Sequence, residues 1–124
     1  MTDLPLSGLV VLDLSQIYNG PYATFMMAAA GAEVIKIEVP EKGDNSRGSS
    51  IFPGLPSTYF ETNNRGVKSF TLNMKSPEAR EVLLRLLQDA DVLVENLLPG
   101  TLEKWGLGFE NDLAPKFPRL ICCS

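Results

Sequence analysis

Three carboxylates and two lysines lie where the chain pattern predicts strand ends or helix starts, and these side chains could do chemistry. Asp13, Glu38 and Glu95 fall on predicted strands or at their ends. A carboxylate held there could act as a nucleophile or as a general acid or base, although capping and ion pairing are commoner uses of such a group. Lys75 and Lys104 lie near predicted helix starts, where a lysine can bind a phosphate but more often points into solvent.

The histidine and cysteine content excludes several kinds of active site within these residues. The sequence contains no histidine, so it cannot form a Ser-His-Asp triad, a Cys-His pair or a histidine metal site. Its two cysteines, Cys122 and Cys123, are adjacent, which provides neither a disulfide framework nor a metal-ligand spacing. We interpret them as small buried residues of a strand. Neither the dinucleotide fingerprint G-x-G-x-x-G nor a P-loop is present.

The composition is that of one globular domain. Of the 124 residues, 44% are hydrophobic and 21% are charged, which is enough apolar material to form a core. The net charge of −4 argues against nucleic acid or an anionic membrane as a partner. No apolar run is long enough to span a bilayer, and the start lacks a basic segment followed by a hydrophobic one. We therefore expect a cytoplasmic protein, or a mitochondrial or peroxisomal one if the source is eukaryotic.

Strand and helix patterns alternate along the whole sequence. Short apolar or alternating runs predict strands at residues 9–14, 33–38, 68–74, 91–96 and 119–123. Helices are predicted at residues 21–30 and from Pro77 onward, with shorter ones near 59–63, after Pro99 and at 110–114. Residues 39–56 are rich in proline, glycine and serine and predict a long loop. This order favours an α/β fold with a Rossmann-like parallel sheet and helices on both faces.

The ends of the predicted strands indicate where a ligand would bind. In an open parallel sheet, ligands bind beyond the carboxyl ends of the strands, where helix N-termini present unpaired N–H groups. Four segments fall at that edge, namely residues 15–20, the loop from residue 39, residues 74–76 and residues 96–101. Such an edge suits a phosphorylated ligand with an extended body.

Five short motifs carry a resemblance to a known family: GPYAT, IKIE, NRG, LNMKSPE and VENLLPG. In order, spacing and content, the region from Leu6 to Ser124 resembles the N-terminal part of class III (CaiB/BaiF-type) CoA-transferases. That family includes formyl-CoA transferases and carnitine CoA-transferases, and α-methylacyl-CoA racemases share its fold. The resemblance covers about the first third of a typical family chain.

The resemblance implies a CoA-binding Rossmann-like domain over residues 1–124 that is incomplete relative to the family. It also implies acyl-CoA and a carboxylic acid as substrates, no tightly bound cofactor, and an interlocked homodimer. By the same resemblance, the residues that contact CoA are Tyr18, Asn19, Val39, Leu72, Asn73, Met74, Lys75, Asn96, Leu97, Leu98 and Lys104.

Two positions depart from the family pattern. Val39 stands where family members often have an arginine that pairs with the CoA nucleotide. Lys104 replaces a family arginine, which keeps the charge but loses the planar fork that binds phosphate through two hydrogen bonds. We therefore expect a reduced affinity for phosphate.

The resemblance also places the catalytic group outside this chain. In the family mechanism an aspartate attacks the acyl-CoA thioester, and that aspartate would lie beyond Ser124. We therefore expect no catalytic residue here, and an isolated chain that is inactive and self-associates through surfaces normally covered by the remainder. Two alternatives stay open: the N-terminal part of an acyl-CoA racemase, which exchanges the proton next to the thioester carbonyl, and a non-catalytic truncated remnant.

Overall fold

A computed structural model describes residues 3–124, and its centre is a five-stranded parallel sheet. The strands lie in the order β3-β2-β1-β4-β5, and every neighbouring pair is parallel. The strands are β1 (Val10–Asp13), β2 (Glu33–Glu38), β3 (Lys68–Thr71), β4 (Val92–Val94) and β5 (Ile121–Cys123). The helices are α1 (Asn19–Ala29), α2 (Thr58–Asn63), α3 (Pro77–Leu87) and α4 (Thr101–Lys104). A 3-10 turn at Asn45–Gly48 and a π-helical turn at Phe109–Leu113 complete the chain order.

Apolar residues on the two faces of the sheet form two separate cores, because successive strand residues point to opposite sides. On one face, Leu12 of β1 and Leu93 of β4 pack with Leu83 and Leu87 of α3. The other face carries a smaller core that α1 covers, consisting of Val11, Ala32, Val34, Val92 and Val94 with Met27 and Ala28 packed against them. The predicted α/β architecture with helices on both faces is therefore confirmed. Within residues 3–124, no helix is long and apolar enough to cross a membrane.

The start of α1 differs from the prediction. The helix begins at Asn19 rather than at Pro21. Proline is tolerated in the first turn because the N–H groups there have no partner within the helix. The close approach of this turn to the preceding loop explains the glycine at position 20, since a Cβ there would lie 2.1 Å from the Cβ of Ser15.

The capping signals of the sequence are confirmed at α1 and α3. The hydroxyl of Ser76 accepts a hydrogen bond from the Ala79 N–H at 3.3 Å, and Pro77 opens α3. Gly31 follows α1 with a φ of 103° in the left-handed region, and its N–H donates to the carbonyl of Ala28.

Four of the five predicted strands extend beyond the observed ones, since only β2 has the predicted bounds and the strands predicted at 9–14, 91–96 and 119–123 shorten to Val10–Asp13, Val92–Val94 and Ile121–Cys123. The third strand ends at Thr71 instead of Met74, because residues 72–75 turn toward α3, with the Ser76 N–H bonded to the Asn73 carbonyl. The fifth strand is an edge strand with one neighbour, so Cys123 is exposed and Cys122 is only half-buried. The interpretation of both cysteines as buried strand residues is therefore wrong for Cys123.

Candidate functional site

The loops after β1 and β4 meet at the carboxyl edge of the sheet. The chain leaves β1 for β2 on one side and reaches β4 on the other, so this is the point where the strand order reverses. The side chain of Asn96 joins the two loops. Its Oδ1 accepts from the Gln16 N–H and its Nδ2 donates to the Gln16 carbonyl, both at 2.8 Å. Its amide is therefore bonded within the protein.

A mostly apolar cavity of about 280 Å³, here named the edge pocket, opens at this edge on the α3 side of the sheet. It lies beyond the ends of β1, β2, β3 and β4, where a ligand of an open parallel sheet is expected. Its walls are formed by Leu14, Gln16, Ile37, Glu38, Val39, Pro40, Leu72, Asn73, Met74, Lys75, Leu97 and Trp105.

The edge pocket brings together six of the eleven residues predicted to contact the ligand. These are Val39, Leu97 and the four consecutive residues Leu72, Asn73, Met74 and Lys75. Residues 72–75 line it because β3 ends early and the chain turns there, which directs the segment across the end of the sheet.

The other five predicted residues do not line the edge pocket. Tyr18 lies directly before α1, where its ring stacks against Tyr22 and Tyr59 with centroid separations of 5.8 and 6.1 Å. Asn19 opens the same helix, and Asn96 holds the neighbouring loop. Leu98 is 81% exposed and borders a second cavity of about 250 Å³. Lys104 is an exposed residue at the end of α4.

Trp105 is a wall residue that the motifs did not predict. It is half-buried, follows Lys104 directly and packs against the larger core while lining the edge pocket. An indole is a large, flat surface suited to stacking against a planar ligand group. The signal that could have identified it is that it is the single tryptophan of the sequence, next to a lysine at the end of a helix.

The α1 side of the same edge carries a buried polar network formed by Asp13, Ser15, Thr24, Lys36 and Asp44. Lys36 is 1% exposed, and its Nζ lies 2.9 Å from Asp44 Oδ2 and 3.6 Å from Asp13 Oδ2. It also donates to the carbonyl of Ser15 at 2.7 Å. Asp13 accepts from the Ser15 N–H at 2.7 Å and from the Thr24 hydroxyl at 2.7 Å. A buried charge needs such partners, because desolvation disfavours it strongly.

Glu38 sits between the two sides, with every oxygen occupied. Arg47 donates to both of its carboxylate oxygens at 2.7 Å, and the Asp44 N–H donates at 2.8 Å, with Ser69 as a further donor. Burial alone would raise the pKa of Glu38, but these hydrogen bonds and the charge of Arg47 lower it from 4.5 to about 2. The guanidinium of Arg47 also lies 3.8 Å from the centre of the Phe60 ring.

The remaining buried carboxylates are equally engaged. Burial also opposes ionisation of Asp44, yet hydrogen bonds from Ser46 and Lys36 lower its pKa below 3.8. Glu95 accepts from the Leu97 N–H at 2.7 Å and from the Ser124 hydroxyl. An ionised carboxylate surrounded by donors is a weak nucleophile. The buried acids at this edge are therefore suited to holding loops in place.

The sequence and the fold both match proteins of known class. The family model described as CoA-transferase family III matches residues 6–124. Acetyl-CoA:oxalate CoA-transferase of Acetobacter aceti is 42% identical over 97% of this chain and 31% of its own length. Succinyl-CoA:glutarate CoA-transferase of Homo sapiens is 42% identical over 97% of this chain and 27% of its own length. The present chain thus spans about a third or less of the curated relatives it matches.

A crystal structure of a CAIB/BAIF family protein from Brucella suis has the same fold. Its TM-score is 0.90 at 39% sequence identity, and the match covers 99% of this chain and 33% of that one. The sheet and helices described above therefore correspond to about a third of a larger protein in that relative.

Proposed function

The chain belongs to CoA-transferase family III, and we propose that it supplies the CoA-binding part of an enzyme that moves CoA between an acyl-CoA thioester and a carboxylic acid. The observation that carries this proposal is the edge pocket. It is apolar along its walls, it has Lys75 in its lining, and it lies at the carboxyl edge of a parallel sheet. An extended ligand with one charged end and a planar base fits such a site.

In this proposal the adenine base stacks on Trp105, with Leu72 and Met74 as the apolar surroundings. These three side chains line one cavity and pack against the same core, so they offer a rigid apolar surface. The CoA phosphates then lie toward Lys75, which lines the same pocket, and toward Lys104, which directly precedes Trp105 in the sequence. Seven predicted contacts remain. Three lie in the edge pocket, namely Val39, Asn73 and Leu97, and four lie toward the point where the strand order reverses, namely Tyr18, Asn19, Asn96 and Leu98.

The nucleophile of the transfer lies outside these 124 residues in this proposal. In the family mechanism a carboxylate attacks the thioester carbonyl carbon and releases CoA thiolate, which leaves a mixed anhydride. The thiolate then attacks the enzyme's carbonyl and displaces the acyl carboxylate, which leaves an enzyme thioester of CoA. The acceptor carboxylate attacks that thioester and releases CoA thiolate, and the thiolate attacks the acceptor carbonyl of the second anhydride, which gives the new acyl-CoA and frees the enzyme carboxylate. Within residues 3–124 the buried acids Asp13, Glu38, Asp44 and Glu95 all accept hydrogen bonds from the protein, which supports placing this step elsewhere.

Calorimetric titration of the chain with CoA tests the binding part of the proposal. Lys75→Glu and Lys104→Glu should each weaken binding by about 1–3 kcal/mol, because a charge next to a partly shielded phosphate is reversed. Lys116→Glu is the matched control, since Lys116 is an exposed lysine between the π-helical turn and β5. Equal affinities for all four chains would remove both lysines from the site.

A transfer assay tests the catalytic part. The 124-residue chain, free of host transferases, should exchange labelled CoA between an acyl-CoA and an acid no faster than the uncatalysed rate. Turnover that disappears on Asp13→Asn or Glu38→Gln would show that the nucleophile lies within this chain. Exchange of the α-proton of an acyl-CoA in heavy water would instead favour the racemase alternative, whereas the relatives from Acetobacter aceti and Homo sapiens are both called CoA-transferases.

The quaternary arrangement also stays a prediction. The interlocked homodimer implied by the family, and the self-association expected for the isolated chain, both need surfaces of at least about 1,000 Å² to be buried. Sedimentation of the chain over a range of concentrations distinguishes a monomer from either kind of association.

A further inference from the structure

Ile17, in the loop between β1 and α1, has a backbone conformation that its side chain disfavours. Its φ is 73°, in the left-handed region, and the residue is half-exposed. A β-branched residue at positive φ is a genuine outlier, and such a conformation persists only where the surroundings enforce it. Glycine, which adopts this region freely, would be the ordinary residue here.

Hydrogen bonds hold the whole segment of residues 14–18. All five N–H groups donate to other protein atoms, with the following acceptors in order along the chain: the carbonyl of Val94, Oδ1 of Asp13, Oδ1 of Asn96, the carboxylate of Asp44 and the carbonyl of Gln16. The Ser15 carbonyl accepts from Lys36, and the Gln16 carbonyl accepts from Asn96. The loop is therefore fixed by β4, by the loop that follows β4 and by the polar network under α1.

Asp44 is the group that holds the strained residue. Its two oxygens lie 3.2 and 3.3 Å from the Ile17 N–H, and one of them lies 2.9 Å from Lys36 Nζ. It also accepts from the N–H of Ser46 at 2.8 Å and from its hydroxyl at 2.6 Å. Asp44 is 2% exposed, so solvent cannot take over these contacts. Asp44 and Lys36 thus connect the loop after β2 to the loop after β1.

The held segment forms part of the edge pocket. Leu14 and Gln16 line that cavity, while Asp44 does not and Lys36 reaches the loop from the α1 side. Any relaxation of Ile17 to negative φ rotates the backbone directly after Gln16. A change in the polar network would therefore alter a wall of the pocket that the network does not itself line.

We propose that Lys36 and Asp44 are positioning residues for coenzyme binding, which hold Ile17 at positive φ so that residues 14–18 keep the shape of the pocket wall. This inference rests on the proposed function. A buried ion pair contributes little net stability compared with apolar residues of similar size. Here the ion pair of Lys36 and Asp44 holds in one conformation a loop that would otherwise relax. A pocket wall that is already in its binding conformation lowers the free-energy cost of binding.

The conformation of Ile17 can be measured without any ligand. At positive φ the amide and α protons of one residue are close, which gives a strong intraresidue NOE in the isotope-labelled chain. Asp44→Asn keeps the size of the side chain but removes the charge that attracts Lys36 and the Ile17 N–H. We expect the Ile17 NOE to weaken in Asp44→Asn and to stay strong in Val92→Ala, which loses stability in the core under α1. An unchanged NOE in Asp44→Asn would overturn the inference.

A double-mutant cycle with Ile17→Gly supplies the functional readout. In the chain with Ile17, Asp44→Asn should weaken CoA binding by about fivefold or more, because the strain is no longer held. In the Ile17→Gly background the same change should matter less than about twofold, since glycine reaches positive φ without strain. Equal losses in both backgrounds would mean that Asp44 acts by general stability alone, and would overturn the inference. If no variant binds CoA, the proposed function fails, and the NOE still decides whether Asp44 holds Ile17.

Discussion

The two sides of the sheet use the same strand ends in opposite ways. Alternation along β2 directs Lys36 into the polar network under α1 and Ile37 into the apolar core under α3. On the α1 side the carboxyl edge is filled by charged and hydroxyl groups that bond to one another and to the loops. On the α3 side the same edge is an open, apolar pocket.

This difference separates two tasks that one site requires. Groups that are already hydrogen-bonded hold backbone in a fixed conformation, but they have little capacity left for a ligand. Apolar walls bind a ligand, but apolar contacts are not directional and so cannot hold a loop in one backbone conformation. The polar network holds the backbone of residues 14–18 from the α1 side, and the same segment lines the edge pocket on the α3 side. Changes to the network should therefore lower stability and, through residues 14–18, affinity as well, whereas changes to the pocket should appear mainly as lost affinity.

The largest effect is expected for Lys36→Met. Methionine has a similar length, but the carboxylates of Asp13 and Asp44 would then be buried without their cation. Removing one partner of a buried pair typically costs about 3–5 kcal/mol, and we expect a loss of that size in the free energy of unfolding by urea.

Lys68→Met is the matched control for this change. Lys68 pairs with Glu33 at 2.6 Å on the neighbouring strand, but both side chains are largely exposed. Lys68→Met should therefore lower the free energy of unfolding by less than about 1 kcal/mol. Similar losses for the two variants would contradict the view that the contribution of the network to the free energy of unfolding depends on its burial.

The second largest effect is expected from acid, which should protonate the buried carboxylates Glu38 and Asp44. The pKa of Glu38 is about 2 in the folded chain and 4.5 when unperturbed, so its ionised form stabilises the fold fully above pH 4.5. That contribution, about 3 kcal/mol, should be lost as the pH falls from 4.5 toward 2. The pKa of Asp44 is lowered as well, so it loses its contribution in the same direction.

Urea unfolding measured between pH 2 and pH 7 checks this dependence. In Glu38→Gln the stability should be lower at pH 7 and should depend less steeply on pH below 4.5. An unchanged slope in that variant would show that Glu38 is not the group responsible.

Much of this arrangement could be predicted from the sequence, because it depends on local patterns. Alternating strands and Ser76 with Pro77 at a helix start fix the element order, and the ends of parallel strands must share one edge. This logic and the family resemblance together predict that Val39 and the segment from Leu72 to Lys75 lie at the site, and all five residues line one cavity in the structure.

Other features depend on contacts that no local pattern reports. Lys36 alternates with apolar neighbours in β2 and gives no sign of burial, since its partner Asp44 lies in the following loop. The hydrogen bonds between the Asn96 amide and Gln16, 80 residues away in the chain, are equally invisible in the sequence. The positive φ of Ile17 is likewise unpredictable, because it arises from the surroundings of the loop and not from its sequence.

On the pocket side, Trp105→Ala should weaken CoA binding by about 1–3 kcal/mol, the usual worth of stacking between a base and an aromatic side chain. Trp105→Phe should retain most of the affinity. Because Trp105 is the single tryptophan, quenching of its fluorescence on CoA addition also reports occupancy directly. Phe117→Ala is the control, since Phe117 packs against the same core without lining the edge pocket. A larger affinity loss in Phe117→Ala would place the base elsewhere.

The smallest effect, and the only gain, is expected for Val39→Arg. Val39 lines the edge pocket at the end of β2 and is 47% exposed, so a longer side chain can extend without entering the core. A guanidinium there could donate two hydrogen bonds to a phosphate, but at an exposed position such an interaction is worth only about 1 kcal/mol. We therefore expect CoA to bind about fivefold more tightly, with the gain shrinking as salt is added because the added charge is screened. Val39→Met, similar in length but neutral, should leave the affinity and its salt dependence as they are. If Val39→Arg binds CoA no better than Val39→Met at low salt, the phosphates do not pass this end of β2, and the cationic part of the pocket is confined to the lysines.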